Sequence, residues 1–183
     1  DKSEAKILVE NILREVIKMQ SVADVPLGAF LSGGIDSSLI VALMQSESIS
    51  KINSFTIGFN EDEFNEANFS KKIANHLGTN HTEMYVESKD ALDLIPELTN
   101  IYDEPFADSS QIPTYLISKL SRKKVKVSLS GDGGDEIFGG YYRYIRGPLF
   151  WKLISPIPMN FRKKIAQTLR KISVEKYNSI ENF

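Results

Sequence analysis

Apolar residues recur at helical spacing over residues 3–20, where Ile7, Leu8, Ile12, Leu13, Val16 and Ile17 make one stripe. The pattern then changes. Val25-Pro26-Leu27-Gly28-Ala29-Phe30-Leu31 is an almost unbroken apolar run of strand length, and Leu39-Ile40-Val41-Ala42-Leu43-Met44 returns to helix. This predicts a strand over 25–31 and a helix over 36–46. A second strand is expected over 51–59. Next come the acidic Glu61-Asp62-Glu63 and a helix ending near Gly78, with Phe69, Ile73 and Leu77 on one side. A third strand follows over 81–86, then a helix over 88–101 with Leu92, Ile95 and Leu98 inward. After the loop from Asp103 to Ser110 come a helix over 112–122 and a fourth strand over 125–129. Strands and helices alternate throughout. That order implies right-handed crossovers and an α/β fold of three layers, a parallel sheet with helices on both faces. Ligands of such sheets sit beyond the carboxyl ends of the strands, where the winding reverses. The first strand ends at Ser32 and the fourth at Ser130, so these two ends are expected to be neighbours.

The first of these ends carries candidate chemistry. Ser32-Gly33-Gly34-Ile35-Asp36-Ser37-Ser38 lies between strand and helix. A helix start exposes unpaired N–H groups that suit an anion, and Ser32, Ser37 and Ser38 add hydroxyl donors. Gly28 and Gly33 have the spacing of a kinase-type phosphate loop, but Gly34 and Ile35 stand where that loop needs lysine and a hydroxyl. The three-glycine dinucleotide pattern is absent too. The loop resembles the pyrophosphate loop of the ATP pyrophosphatases, which cleave ATP between its α and β phosphates and adenylate a substrate. The plain alternative is a tight turn with a serine-capped helix.

Composition narrows the classes. The 183 residues suffice for one domain with a core, and a net charge of −2 gives no electrostatic reason to expect nucleic acid. No apolar run is long enough to span a membrane and no signal pattern opens the chain, so a cytoplasmic protein is expected. The absence of cysteine excludes disulfides and a thiol nucleophile. His76 and His81 are too few for a histidine metal site and read as surface or strand-edge residues. The chain begins at Asp1 rather than methionine, which suggests a piece of a longer protein.

The fourth strand runs into Ser130-Gly131-Asp132-Gly133-Gly134-Asp135-Glu136-Ile137-Phe138-Gly139-Gly140-Tyr141, which packs five glycines and three acids into twelve residues. Carboxylates held together repel unless a cation lies between them, and oxygen ligands beside phosphate suit Mg²⁺. Asp132 and Asp135 are the candidates to hold it against ATP phosphates. The plain alternative is a solvated acidic turn capping a helix over 135–145.

Taken together, four blocks resemble the synthetase domain of the glutamine-hydrolysing asparagine synthetases. They are Val25-Pro26 through Ser38, Ser54-Phe55-Thr56-Ile57-Gly58-Phe59, Asp103-Glu104-Pro105-Phe106-Ala107-Asp108-Ser109-Ser110 with Pro113 and Tyr115, and Leu129 through Tyr144. The resemblance implies the PP-loop, adenine nucleotide alpha hydrolase-like fold, with residues 1–146 as its core and 147–183 as the start of a truncated C-terminal helical part. It implies that Leu31 and Ile57 face adenine and that Ser130 and Gly131 close over the nucleotide. Ser32, Gly33, Gly34, Asp36, Ser37 and Ser38 would hold pyrophosphate, with Asp36 and Asp135 as magnesium contacts. Asp132 and Asp135 would be the catalytic carboxylates. Family members commonly carry glutamate at position 132, so the aspartate here is one methylene shorter.

The implied activity is adenylation of the aspartate side chain by ATP, followed by attack of ammonia to give asparagine, AMP and pyrophosphate. The partners implied are ATP, aspartate and ammonia from a glutaminase domain not found in this sequence, with homodimers of the full-length protein admitted. Two other functions fit the same loops: amidation of another carboxylate such as a sugar acid, and a non-catalytic nucleotide-binding module. The tail is basic. Phe161, Ile165, Leu169 and Ile172 form a stripe beneath Arg162, Lys163, Lys164, Arg170 and Lys171, expected to pack on the remainder of the domain rather than on membrane or nucleic acid. Pro148, Pro156 and Pro158 mark a loop-rich connection before it, and Trp151 and Tyr141–Tyr144 read as packing residues.

Overall fold

In the computed structural model, residues 1–59, 66–104 and 108–169 are described. The acidic segment Glu61–Glu63, the middle of the Asp103–Ser110 block, and Arg170, Lys171 and Ile172 lie outside them. The chain divides after Gly133 into two compact units.

The first unit holds four parallel strands: β1 (Leu27–Phe30), β2 (Asn53–Phe59), β3 (Asn80–Val86) and β4 (Val127–Leu129), in the order β3-β2-β1-β4. The expected adjacency of the first and fourth strands is therefore found, with Leu27 opposite Val127 and Ala29 opposite Leu129. Around the sheet run α1 (Lys2–Gln20), α2 (Ile35–Glu47), α3 (Ala67–Leu77), α4 (Ser88–Leu94), α5 (Leu98–Ile101) and α6 (Gln111–Ser121). Side chains alternate across a strand, and β1 shows the result. Ala29 and the adjoining Leu31 enter a cluster with Ile17, Val41, Met44 and Ala74 from α1, α2 and α3, while Phe30 packs with Phe55, Ile117, Leu120 and Val125 on the α6 side. Helices thus cover both faces, and the three-layer expectation holds.

Several local expectations change. β1 starts at Leu27 rather than Val25, because Pro26 has no N–H to give; its carbonyl still accepts from Lys126 N–H at 2.9 Å. The helix expected over 88–101 is broken into α4, a 3₁₀ turn at Ile95–Glu97 and α5, because Pro96 removes a helical donor. Leu92 and Ile95 are exposed rather than inward. The same holds for Phe69, since α3 buries Ala67, Ser70 and Ala74 instead. On α1 only the C-terminal end of the stripe packs: Ile17 is buried and Leu13 partly so, whereas Ile7, Leu8 and Ile12 face out.

The second unit contains α7 (Gly134–Phe138), α8 (Tyr142–Ile154) and α9 (Met159–Leu169). The single helix expected over 135–145 is two, separated at Gly139–Tyr141. Pro148 sits inside α8 rather than in a connection; Pro156 and Pro158 do lie between α8 and α9. Trp151, Tyr142 and Tyr144 are exposed rather than packed, with Arg162 over the Trp151 ring at 5.4 Å and Arg143 over Tyr141 at 4.1 Å. Phe161 and Ile165 are exposed as well. Among the described residues no helix is long and apolar enough to cross a membrane.

Candidate functional site

The chain leaves β1 through Leu31, whose N–H still donates to Phe55 C=O at 2.9 Å. Leu31 is fully buried, so its side chain belongs to the core and only its backbone reaches the rim. Its carbonyl accepts from the Thr56 hydroxyl. The next residue begins a loop that ties itself together. Ser32 N–H donates to Ser37 Oγ at 3.1 Å, the two hydroxyls lie 2.9 Å apart, and Gly34 N–H reaches Ser32 Oγ at 3.3 Å. Gly33 has φ +86°, and a β-carbon there would come within 3.2 Å of Ser70 N, so the first turn of α3 walls the loop. The left-handed backbone and the close wall both require glycine.

Gly34 caps α2 without a side chain, and the first helical bond is Ser38 N–H to Gly34 C=O at 3.1 Å. The N–H groups of Ile35, Asp36 and Ser37 consequently have no intrahelical acceptor. The expected hydroxyl donors are arranged differently. Ser37 is buried, and Ser38 Oγ donates to Gly34 C=O at 2.6 Å. Amides, more than hydroxyls, are what this corner offers an anion, and Asp36 stands partly buried in the same helical turn.

The second loop begins where β4 ends. The Ser130 hydroxyl donates to Asp132 Oδ2 at 2.9 Å, and Asp132 N–H returns to Ser130 Oγ at 3.4 Å. Gly131 meets the first loop: a β-carbon built on it would stand 2.6 Å from Ser37 N and 2.9 Å from the Asp36 carbonyl carbon. The structure therefore brings Ser32–Ser38 and Ser130–Asp132 together at the carboxyl ends of adjacent strands. Ile57 is half-exposed near the end of β2.

Asp135 lies in α7, in the second unit, where its carbonyl accepts Gly140 N–H at 3.0 Å. The third acid of this stretch, Glu136, accepts from the Tyr141 phenol at 2.6 Å, which holds its carboxyl below the usual range and pushes the phenol up. Among the described residues no group of three or more acids or histidines converges as a metal cage. Glu136 turns to Tyr141 and Asp132 to Ser130. Mg²⁺ does not need such a cage, since it commonly binds one or two carboxylates and completes its shell with substrate phosphates and water.

Two features escaped the sequence pattern. One is Thr56, a polar residue in the Ser54–Phe59 strand whose hydroxyl ends at the loop's exit. The other is His81, read as a surface or strand-edge residue. It lies on the edge strand β3, but its side chain is only 9% exposed. Nδ1 is 2.8 Å from Ser54 Oγ, and the buried Nε2 has no hydrogen-bond partner, with Glu83 Oε1 3.9 Å away. Burial holds this imidazole below its ordinary pKa; Lys71 acts in the same direction and Glu83 against it. In the Asp103–Ser110 block, Asp108 accepts Ser110 N–H at 2.8 Å, and hydrogen bonding from Ser110 keeps its carboxyl low. Two surface cavities of about 450 and 460 Å³ lie elsewhere, one beneath the starts of β1 and β2 and one between α4 and α6; no residue of either loop lines them.

Known proteins resemble this chain in fold and in sequence. The solved NMN synthetase from Francisella tularensis superposes with a TM-score of 0.50 at 14% identity, covering 78% of this chain and 59% of that one, a likeness of fold. A provisionally named glutamine-hydrolysing asparagine synthetase 2 from Methanocaldococcus jannaschii is 40% identical over 179 residues, 94% of this chain and 33% of that protein. Asparagine synthetase (glutamine-hydrolysing) 1 from Bacillus subtilis is 36% identical over 157 residues, 86% of this chain and 24% of its own length. The chain thus spans a quarter to a third of these relatives. The family model for asparagine synthase matches residues 8–181, nearly the whole sequence, and the chain belongs to the asparagine synthase family.

Proposed function

We propose that this chain is the nucleotide-activating part of an ATP-dependent amidotransferase that converts aspartate to asparagine. The observation that carries the reading is the meeting of Gly131 with the Asp36–Ser37 peptide, which joins two glycine-rich loops at the ends of β1 and β4. A carboxylate is a poor electrophile until its oxygen becomes part of a good leaving group. The aspartate β-carboxylate oxygen attacks the α-phosphorus of ATP, the bond between α and β phosphates breaks, and pyrophosphate leaves. Ammonia then attacks the acyl carbon, and AMP departs with the original carboxylate oxygen.

In this reading the amides of Ile35, Asp36 and Ser37 hold the leaving pyrophosphate, and the field of α2 adds to their effect. The Ser32–Ser37 hydroxyl tie keeps those amides in place before the nucleotide arrives, which is preorganisation of the kind that lowers a charged barrier. Ser130 and Gly131 close over the nucleotide, and the exposed Asp132, held by Ser130, faces the reacting groups. Asp36 is the residue of the first unit that would hold Mg²⁺. When bound, that ion draws off charge as pyrophosphate leaves. Ammonia comes from a glutaminase domain of the longer protein.

Aspartate-dependent exchange of labelled pyrophosphate into ATP, with full-length protein, tests the proposal. Exchange with aspartate is the expected result. Exchange only with a different carboxylate would reassign the acceptor, and ATP binding without exchange would make this a non-catalytic module.

A further inference from the structure

We infer that Thr56 is a positioning residue for the phosphate loop, ending the β1–β2 ladder at Leu31 and leaving the Ile57 amide open at the rim. Its consequence for ATP rests on the function proposed above; the ladder geometry does not.

Thr56 is 1% exposed. A hydroxyl buried in a strand is costly unless it is bonded, and its partner is the Leu31 carbonyl, the last one before the loop. The registered pairs run Gly28 with Asn53, Ala29 with Ser54 and Phe30 with Phe55, so Leu31 comes next, opposite Thr56. In a parallel ladder one residue bonds to both neighbours of the residue opposite it. Leu31 N–H does bond to Phe55 C=O. The carbonyl of Leu31 would then take the N–H of Ile57, but the Thr56 hydroxyl is the donor there. Among the described residues the Ile57 amide has no backbone acceptor towards β1.

Two things follow from one hydroxyl. Leu31 is anchored by Thr56 just before Ser32, whose own N–H is anchored by Ser37, so two consecutive residues fix the direction in which the loop leaves the sheet. The Ile57 amide also stays free as a donor at the carboxyl end of the sheet, on the rim where the loop begins.

The test compares full-length wild type, Thr56→Val and Thr56→Ser. It reads the ATP dissociation constant by calorimetry and amide hydrogen exchange at Ile57. Valine keeps the shape and loses the hydroxyl, so the ladder closes. Exchange at Ile57 slows, and the dissociation constant rises by about tenfold or more. Serine retains the donor and stays within about twofold of wild type in both. Unchanged Ile57 exchange in Thr56→Val overturns the inference whatever the affinity. An affinity loss shared equally by Thr56→Ser overturns it too, because packing rather than the hydroxyl would then be responsible. If wild type binds no ATP, the proposed function fails, and the exchange measurement alone decides the role of Thr56.

Discussion

Gly131 lies so close to Ser37 that a β-carbon at position 131 would stand 2.6 Å from the Ser37 amide nitrogen. The obstacle is helix backbone, which cannot swing aside as a side-chain tip would. Gly131→Ala must therefore push the two loops apart. Such overpacking costs about 1–3 kcal/mol, so the variant should fold with a lowered melting temperature. Its pyrophosphate exchange should fall at least tenfold. A fully active alanine variant would show that the contact between the loops is dispensable.

Asp36→Ala should reduce Mg-ATP-dependent adenylation by about tenfold or more, on the order of 1.4 kcal/mol in barrier. Raising the magnesium concentration should partly restore it. A wild-type rate in the purified variant would remove this carboxylate from the metal.

Ser37 and Ser38 should separate. The Ser37 hydroxyl is buried and holds Ser32 N–H, so Ser37→Ala loses that bond and should cost about 0.5–1.5 kcal/mol of stability as well as ATP affinity. Ser38 Oγ bonds a carbonyl of its own helical turn, and Ser38→Ala should disturb stability less. Denaturant melts of the two variants provide the comparison, and equal losses would contradict it.

His81 predicts a pH dependence. Its pKa is lower in the folded chain than in the unfolded one, chiefly through burial. The neutral ring is thus favoured by folding, and the unfolded state binds the extra proton first. Stability from this group is complete above the ordinary histidine pKa near 6.5 and declines as pH falls through the folded value. Glu83 and Lys71 are the charged groups that bear on it. The melting temperature of wild type should drop between pH 8 and 5 more steeply than that of His81→Gln; identical slopes would exclude His81 as the source.

Much of this was open to reading because two kinds of signal are local. Alternation of apolar runs constrains how a parallel sheet is wound, which is why β1 and β4 could be placed side by side. Clustered glycine and serine mark a turn wherever they fall, which is why both loops stood out. The misread features depend on partners distant in sequence or on a single strong local residue. The burial of His81 follows from pairing with Ser54, 27 residues earlier. In the α4–α5 region the leucine spacing continues through Pro96, but the missing N–H decides the outcome. At Pro148 the opposite happens, and α8 runs through the proline.

The partnership of Leu27 with Val127 means that a growing polypeptide must emerge by about a hundred residues before its first strand gains this neighbour. Whatever is gripped by the corner after Leu31 and the corner after Leu129 can be gripped only once that long closure is complete. Such a guest meets its full set of contacts only in the finished state. Resistance to protease in the presence of a nucleotide would then be greatest once the entire first unit is assembled, and a chain stopped short of Val127 would draw less protection from it.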